Sequence, residues 1–312
     1  MSIVILLSTY NGALFLEQQL DSLFAQTHAS FKVFVRDDGS QDNTLEILKK
    51  YDVKLLPTSK NLGSKNSFAT LLNHAIVDSD ADYFMFSDQD DVWYEDKVEK
   101  TLTKMKRMEG KHGSTLPLLV HTDLEVVDAE MNTIADSMWQ FEHTLPAKNK
   151  FNQLLIQNTV TGCTTMINRP LAIKCLKIPS GAIMHDWWIA LVASQFGKIG
   201  FVHEPMIKYR QHGQNTIGAK EFKVNALRHI LGLLISLVSQ DKTYLKHMQI
   251  NICQAKSFLE IFADELDDRN KAMLEDFSSL DEMTFWRRRL ILYRYRLLKQ
   301  GAARNLALFI KI

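Results

Sequence analysis

Cysteine is scarce in this sequence, and long apolar runs are missing. The three cysteines, Cys163, Cys175 and Cys253, are scattered along 312 residues. They show neither the spacing of a metal site nor the even number of a disulfide framework. This pattern favours a reducing compartment. The longest later apolar run, at 230–238, is less than half of the roughly 20 residues that span a bilayer.

Signals for export and for a particular partner are also absent. Residues 1–7 are apolar, but they lack a basic segment and are too short for a signal peptide. The formal net charge is +1, so the charge of the whole molecule indicates no class of partner. We therefore expect a cytoplasmic protein, and peripheral attachment to the inner face of the cell membrane stays open.

The sequence does contain an alternation of strand and helix patterns. Continuous apolar runs typical of buried strands take turns with segments of helical spacing. Strands with their polar ends are predicted at 3–8, 31–40, 52–58 and 81–91, and helices at 13–26, 40–51 and 64–77. Such an order with short connections predicts an α/β fold with a doubly wound, mostly parallel sheet and helices on both faces.

Polar clusters follow three of the predicted strands. They are "STYNG", "RDDGS" and "SDQDD", in that order along the chain. Ligands of doubly wound sheets bind at the carboxyl ends of the strands. We therefore expect a binding site where these clusters meet.

The last cluster crowds three carboxylates, Asp88, Asp90 and Asp91, into four positions. An Asp-x-Asp spacing at a strand end can share Mg²⁺ or Mn²⁺, since both prefer oxygen ligands. The alternative is a solvated acidic turn in which Asp91 is the N-cap of the next helix. Asp37 and Asp38 raise the same choice, because Asp-Asp-Gly-Ser is also a typical β-turn.

From about Pro117 the alternation loosens. A strand is predicted at 116–128, a strand followed by a helix within 159–172, and a strand and loop at 200–213. A helix is predicted at 184–197, and His185 and Asp186 stand at its start.

Seven segments together resemble family 2 glycosyltransferases of the GT-A fold, over about residues 3–215. The segments are "LLSTYNGALFLEQQLDSLFAQT", "VFVRDDGSQDNT", "NLGSKNSF", "FMFSDQDDVW", "TGCTTMINR", "HDWW" and "YRQHGQN". Each is weak alone, whereas the ordered set is specific. The forms "DQDDVW", "HDWW" and "YRQH" are most similar to the bacterial rhamnosyltransferase-like branch.

The resemblance implies roles for the residues of the first two clusters. Thr9, Tyr10 and Asn11 match the segment that lines the nucleotide base. One of Asp37 and Asp38 matches the acid that accepts a hydrogen bond from a pyrimidine N3–H, and the other supports it or the ribose.

It also implies roles for the next two motifs. Asn61 and Gly63 match the loop beside the nucleotide. Asp88 and Asp90 match the family's Asp-x-Asp, with the first towards the ribose and the second on the metal.

On the acceptor side, Asp186 matches the family's general base, and His212 matches a downstream histidine that completes the metal site. Two features depart from the family pattern. The usual Glu-Asp is His185-Asp186 here, and the Gln-x-x-Arg-Trp motif of processive synthases is absent. The second departure argues against a polymerising synthase.

The function implied by the resemblance is an inverting, metal-dependent sugar transfer. The donor would be a nucleotide-diphosphate sugar, with dTDP-rhamnose as the first candidate and a UDP-hexose as the second, and the cofactor would be Mg²⁺ or Mn²⁺. The acceptor would be a saccharide or a lipid-linked saccharide in bacterial polysaccharide or lipopolysaccharide synthesis. The alternative is a catalytically inactive nucleotide-sugar-binding assembly partner. A metal-dependent phosphohydrolase is disfavoured, because no nucleophile motif is evident.

Two domains are predicted. Residues 1–219 would form the GT-A domain, with a donor half at about 1–115 and an acceptor half at about 116–219, and 220–312 a helical C-terminal region. Residues 286–312 contain eight Lys or Arg and no Asp or Glu. Such a segment can lie on anionic lipid, or it can pack on the protein with its cations solvated. Arg287 and Arg294 interrupt its apolar face. Nucleic acid is not expected as a partner.

Overall fold

The computed structural model describes residues 2–57, 60–213, 218–219 and 243–312, except for the side chains of 243–247. The chain divides into two compact units. The first comprises Met1–Glu142, Val160–Ile178 and His185–Lys220, and the second comprises His143–Thr159, Pro179–Met184 and Glu221–Ile312. The predicted division into domains at residue 219 stays a prediction.

The N-terminal part of the first unit is a parallel sheet in which strands alternate with helices. The strands are β1 (Ile3–Thr9), β2 (Phe31–Asp37), β3 (Val53–Leu55) and β4 (Tyr83–Ser87). The helices are α1 (Leu16–Phe24), α2 (Thr44–Leu48) and α3 (Gly63–Asp78). β1 lies between β2 and β4, and every residue of β4 is buried. Burial on both faces explains the continuous apolar runs.

The later strands extend the same sheet. They are β5 (Val92–Trp93), β6 (Leu118–Val127), β7 (Thr133–Ala135), β8 (Met166–Asn168) and β9 (Lys198–Arg210). The order is β3-β2-β1-β4-β8-β6-β9-β5, with β7 beside β6. β8 is antiparallel to both neighbours, whereas β6 and β9 pair in parallel. Most of the paired length is parallel, which confirms the predicted α/β class.

Further helices complete the first unit. They are α4 (Lys97–His112), α5 (Met138–Phe141), α7 (Arg169–Lys174) and α8 (His185–Phe196). Pro170 stands in the first turn of α7, where its missing N–H and restricted φ suit a helix start. The predicted strand and helix within 159–172 and the predicted helix at 184–197 are thus confirmed within a few residues.

One predicted helix start is wrong. Asp91 does not cap the following helix, because the chain first forms β5 and α4 begins only at Lys97, after Asp96. β5 pairs antiparallel with β9, a strand more than a hundred residues further along the chain. Asp91 is fully buried instead. A local sequence pattern could not predict β5, because the strand with which it pairs is so distant in sequence.

The second unit is helical in its described part. It contains α6 (Phe151–Leu154), α9 (Thr243–Phe262), α10 (Asp268–Ser278), α11 (Phe285–Arg294) and α12 (Ala302–Lys311). Its core includes the ring of Phe258, whose centroid lies 4.9 Å from that of Phe151 and 4.8 Å from that of Phe262. Across the described residues, no helix has the length and apolar character needed to cross a membrane. The apolar run at 230–238 lies outside the described residues.

A close backbone approach at Gly197 provides a test of this fold. A Cβ there would overlap the carbonyl oxygen of Pro117, which also accepts the N–H of Lys198 at 3.0 Å. Gly197→Ala should therefore lower the free energy of unfolding by about 2 kcal/mol or more, measured by urea denaturation. The control is Gly110→Ala within α4, where the added methyl meets open space. Alanine should stabilise that helix by about 0.5–1 kcal/mol, and a similar loss in both variants would contradict the described approach.

Candidate functional site

Hydrogen bonds tie together the loops that follow β1, β2 and β4. The N–H of Tyr10 donates to Gln89 Oε1 at 2.8 Å, and Gln89 Nε2 donates to the carbonyl of Tyr10 at 3.0 Å. Asn11, at φ 47°, donates its N–H to Ser40 Oγ and accepts from the N–H of Gln41, both at 2.8 Å. The predicted meeting of the polar clusters at one edge of the sheet is confirmed.

Asp37 organises the loop after β2. Its buried carboxylate accepts from Thr9 Oγ1 at 2.9 Å and from the N–H groups of Gly39 and Ser40 at 3.0 and 2.8 Å. The Ser40 hydroxyl donates to the same carboxylate. Asp37 is therefore committed to protein partners in this structure, and its predicted role at a nucleotide base stays a prediction.

Asp38 joins the same edge to the start of α3. Its buried carboxylate forms an ion pair with Arg36 and accepts the N–H groups of Leu62 and Gly63, each at 2.7 Å. Gly63, at φ 73°, also donates to Asn61 Oδ1 at 3.0 Å. Arg36 was missed by sequence reasoning, although a single arginine inside an apolar strand and directly before two acids is a signal for a buried ion pair.

A group of carboxyl groups lies beyond the end of β4. Burial and the negative charges of Asp90 and Asp186 raise the pKa of Asp88 to about 7. Asp186 occupies the first turn of α8 and accepts the N–H of Trp187 at 2.7 Å, and burial raises its pKa to about 6. The structure thus brings together acids that are about a hundred positions apart in sequence.

Asp90 and His212 are in direct contact. His212 Nε2 lies 2.7 Å from Asp90 Oδ2, and both side chains are largely enclosed. Arg210 donates from Nε to the Asp90 carbonyl at 2.9 Å, and its guanidinium lies over the ring of Phe15. The two residues predicted as metal ligands are therefore neighbours, and their binding of a metal stays a prediction.

A buried cluster of ionisable side chains next to these acids was not predicted. Lys97 is fully buried, with Nζ donating to the Cys163 carbonyl at 2.8 Å and lying 2.9 Å from the ring centroid of Trp93. Asp91 accepts the N–H of Arg210 at 3.3 Å, and burial beside the other acids holds its pKa well above the usual range. Nothing in the polar segment "YEDK" distinguishes this lysine from a solvated one.

His185 is a packing residue. Its buried ring stacks on Phe68 at a centroid distance of 4.2 Å and lies 5.2 Å from Phe86. Burial lowers the pKa of His185 to about 3, so the imidazole is neutral and only weakly basic. This environment explains how a histidine replaces the acid that the family pattern has before Asp186.

The donor atoms fit a hard divalent cation. Asp88, Asp91 and Cys163 offer ligand atoms within 4.8 Å of one another, and Asp91 Oδ2 has no hydrogen-bond partner among the described residues. Burial and neighbouring carboxylates raise the pKa of the Cys163 thiol, so it stays protonated and is a poor ligand. The carboxylate oxygens of Asp88 and Asp91 remain in this group, and such oxygens suit Mg²⁺ or Mn²⁺; His212 does not belong to it and contacts Asp90 instead.

The chain is similar to known proteins in sequence and in fold. The profile of glycosyl transferase family 2 matches residues 4–175. The dTDP-rhamnosyl transferase RfbG of Shigella flexneri is 28% identical over 260 residues, which cover 78% of this chain and 82% of that protein. TuaG of Bacillus subtilis strain 168, named for teichuronic acid biosynthesis, is 26% identical over 223 residues, covering 69% and 81%. S. aureus TarS 1–349 in complex with UDP-GlcNAc has a TM-score of 0.55 at 15% identity, covering 100% of this chain and 90% of that one.

The raised pKa of Asp186 predicts how stability changes with pH. The folded value of about 6 exceeds the ordinary 3.8, so the folded state holds this proton more tightly than the unfolded state. The stabilisation is complete below pH 4 and is lost as the pH rises to about 6. Asp186→Asn has no carboxyl group to titrate at this position and therefore does not lose this stabilisation. The difference in free energy of unfolding between Asp186→Asn and the native protein should shift in favour of the variant by up to about 3 kcal/mol between pH 4 and 7.5.

The measurement is urea denaturation of both proteins in the presence of a chelator. Asp52→Asn, which changes the same group at an exposed position, is the control. A pH-independent difference between the native protein and Asp186→Asn would contradict the burial of this carboxyl group.

Proposed function

Because this chain belongs to glycosyl transferase family 2, we propose that it transfers a sugar, with inversion, from a nucleotide-diphosphate sugar to a saccharide hydroxyl. It is a transferase of the GT-A fold. The observation that carries the proposal is the group of acids formed by Asp88, Asp90 and Asp186, close enough for their charges to shift the pKa of Asp88. Such a group serves both ends of the reaction, the departing diphosphate and the incoming hydroxyl.

The proposed donor is dTDP-rhamnose, with a UDP-hexose as the second candidate. The name of the Shigella flexneri relative, a dTDP-rhamnosyl transferase at 28% identity, supports this choice. Thr9, Tyr10, Asn11 and the loop of Asn61 and Gly63 are proposed to surround the nucleotide. Asp37 and Asp38 give this edge its rigidity, since both carboxylates are held by backbone N–H groups.

The proposed cofactor is Mg²⁺ or Mn²⁺, held by Asp90 and His212 with Asp88 beside it. Oxygen and imidazole donors suit either ion. A bound cation would act as a Lewis acid that neutralises the charge of the diphosphate leaving group. The chain's own contribution is to keep three acids in one place, where their mutual repulsion favours a cation over any neutral ligand.

Asp186 is proposed as the general base. Its carboxylate would accept the proton of the acceptor hydroxyl as that oxygen attacks the anomeric carbon. Attack opposite to the leaving group inverts the configuration of that carbon, as in inverting glycosidases. A pKa of about 6 suits this task, because the group is ionised at neutral pH and is still a stronger base than an ordinary carboxylate.

The proposed acceptor is a saccharide or a lipid-linked saccharide of bacterial polysaccharide or lipopolysaccharide synthesis, in the cytoplasm or at the inner face of the membrane. Nucleic acid is not proposed as a partner. The second candidate function, a catalytically inactive assembly partner that binds nucleotide sugar, is disfavoured by the presence of Asp88, Asp90 and Asp186. A phosphohydrolase would release phosphate from the donor without any acceptor.

Asp186→Asn separates catalysis from binding. Asparagine keeps the size and the acceptor oxygen for the Trp187 N–H, yet it cannot take up a proton. We expect normal donor binding and a loss of about 10²–10⁴-fold in kcat. In the native enzyme kcat/KM should rise with pH through about 6, as Asp186 is deprotonated.

The assay measures donor turnover with and without acceptor, and donor binding by thermal shift. Turnover that needs acceptor and is lost in Asp186→Asn supports the proposal. Donor binding without turnover in the native protein would favour the assembly partner, and turnover without acceptor would favour the hydrolase. Near-normal turnover of Asp186→Asn would show that Asp186 has only a structural role. The buried Asp123 would then be the next candidate for the general base.

Removal of metal is the second test. Excess EDTA should abolish transfer, and Mg²⁺ or Mn²⁺ should restore it. Asp90→Ala and His212→Ala should each raise the metal concentration needed for half-maximal activity at least tenfold, because each removes a ligand. Asp96→Ala, an acid of the same polar segment that pairs with Lys100 at the surface, is the matched control. Full turnover in EDTA would rule out the metal site.

A further inference from the structure

Helix α11 has an inner and an outer face, and the inner face accounts for its packing within the second unit. Ile291 and Leu292 are buried. Arg288 donates to the carbonyl oxygens of Leu280 and Asp281 at 3.0 and 3.1 Å. The helix is therefore anchored without any contribution from its opposite side.

The outer face is nevertheless apolar. Trp286, Leu290 and Tyr293 are 77%, 62% and 77% exposed. Their spacing of four and three residues places them in one stripe along the helix. Three large side chains left in solvent on one stripe are unusual, because each forgoes the free energy of burial. We call this stripe, with the arginines that flank it, the outer face.

Arginines border the stripe on both sides. At 100° per residue, Arg287 and Arg294 lie along one edge of the stripe and Arg289 along the other. Arg287 and Arg294 are exposed, whereas Arg289 donates to the carbonyls of Phe285 and Ile312 at 2.6 and 2.9 Å. This arrangement explains why the apolar pattern of the sequence is interrupted at 287 and 294: the helix has two apolar faces, and the arginines separate them.

We propose that the outer face of α11 docks on an anionic lipid surface, with Trp286, Leu290 and Tyr293 entering the headgroup region and Arg287 and Arg294 pairing with lipid phosphates. Tryptophan and tyrosine favour the interface between water and lipid, because each has an apolar ring and a polar group. Interfacial helices combine such a stripe with flanking cations. The inference rests on the second unit alone and does not depend on the proposed function.

The charges favour lipid over a second copy of this chain as the occupant. Residues 286–312 contain eight Lys or Arg and no Asp or Glu. In a two-fold contact the same face of each copy meets the other. The arginines of one copy, Arg287 and Arg294, would then face those of the second copy, and this segment has no acid to pair with them. An anionic bilayer supplies the missing negative charge.

The structure also limits how many cations take part. Arg288, Arg289 and Arg304 donate to backbone carbonyl oxygens within the second unit. The proposed electrostatic contribution therefore comes mainly from Arg287, Arg294 and the exposed Arg296. Because each cation near such a surface contributes about 1 kcal/mol, replacing one by a neutral residue corresponds to a roughly fivefold change in binding.

The experiment is co-sedimentation of the full chain with phosphatidylglycerol–phosphatidylcholine vesicles and with pure phosphatidylcholine vesicles, at low and high salt. We expect binding to the anionic vesicles only, and weaker binding at high salt. The double variant Arg287→Glu with Arg294→Glu should lose at least tenfold in binding, as should the triple variant Trp286→Ala, Leu290→Ala and Tyr293→Ala. Circular dichroism confirms that each variant is folded.

Matched controls lie on the first unit. Lys49→Glu with Lys50→Glu makes the same change of charge at two exposed lysines, and Val77→Ala shortens an apolar side chain that is 81% exposed. Both controls should bind like the native chain. An equal loss in the charge control would show that net charge alone drives binding, and would overturn the proposal.

Tryptophan fluorescence reports insertion directly. Emission from the exposed Trp286 should shift to shorter wavelength with anionic vesicles, and Trp286→Phe should lose that shift while still binding. A chain that ignores anionic vesicles at low salt would overturn the proposal. Concentration-dependent dimerisation that the triple variant abolishes would do the same, since it would assign the outer face to a second copy.

Discussion

The carboxyl groups of Asp88, Asp90 and Asp186 repel one another in a poorly hydrated place, and this repulsion is the constraint on which the site depends. Burial, together with the charges of Asp90 and Asp186, raises the pKa of Asp88 to about 7, and burial raises that of Asp186 to about 6. The fold has to hold these groups together against their own electrostatic energy. A bound divalent cation and a substrate proton are the species that would relieve it, so the unfavourable energy of the unliganded protein favours ligand binding.

The strand ends and loops at the edge of the sheet hold these carboxyl groups in place against their repulsion. Parallel strands fixed by burial on both faces have their ends and loops joined by hydrogen bonds of Asn11 to Ser40, Thr9 to Asp37, and Leu62 to Asp38. Close to the acids, Lys97 is enclosed next to the Cys163 carbonyl, and burial holds the pKa of its amine well below the usual range. Its hydrogen bond ties the start of α4 to the segment around Cys163.

The second unit poses a different physical question, because α11 is apolar on two sides. One side packs within its own unit through Ile291 and Leu292, and the other leaves three large side chains in water. An enzyme whose acceptor is carried on lipid would benefit from such a face, since attachment to the surface confines both reactants to a thin layer. The donor chemistry would not require it, so the two properties can be tested separately.

The sequence by itself determined the features that depend on local pattern. Apolar runs, helical spacing and turn residues were enough for the strands β1, β2 and β4, for the polar edge of the sheet, and for Asp186 in the first turn of its helix. The ordered motifs also indicated the family.

Only the tertiary structure decided which polar residues are buried, and with whom. Asp91 looked like a helix cap, but the N–H that it accepts belongs to Arg210, 119 positions away. Likewise, Lys97 stands in an ordinary polar context, and its burial follows from packing against distant segments. The physical reason is that a periodicity of two or 3.6 residues encodes which face of an element is apolar, whereas desolvation and charge pairing depend on whatever the completed fold brings next to it.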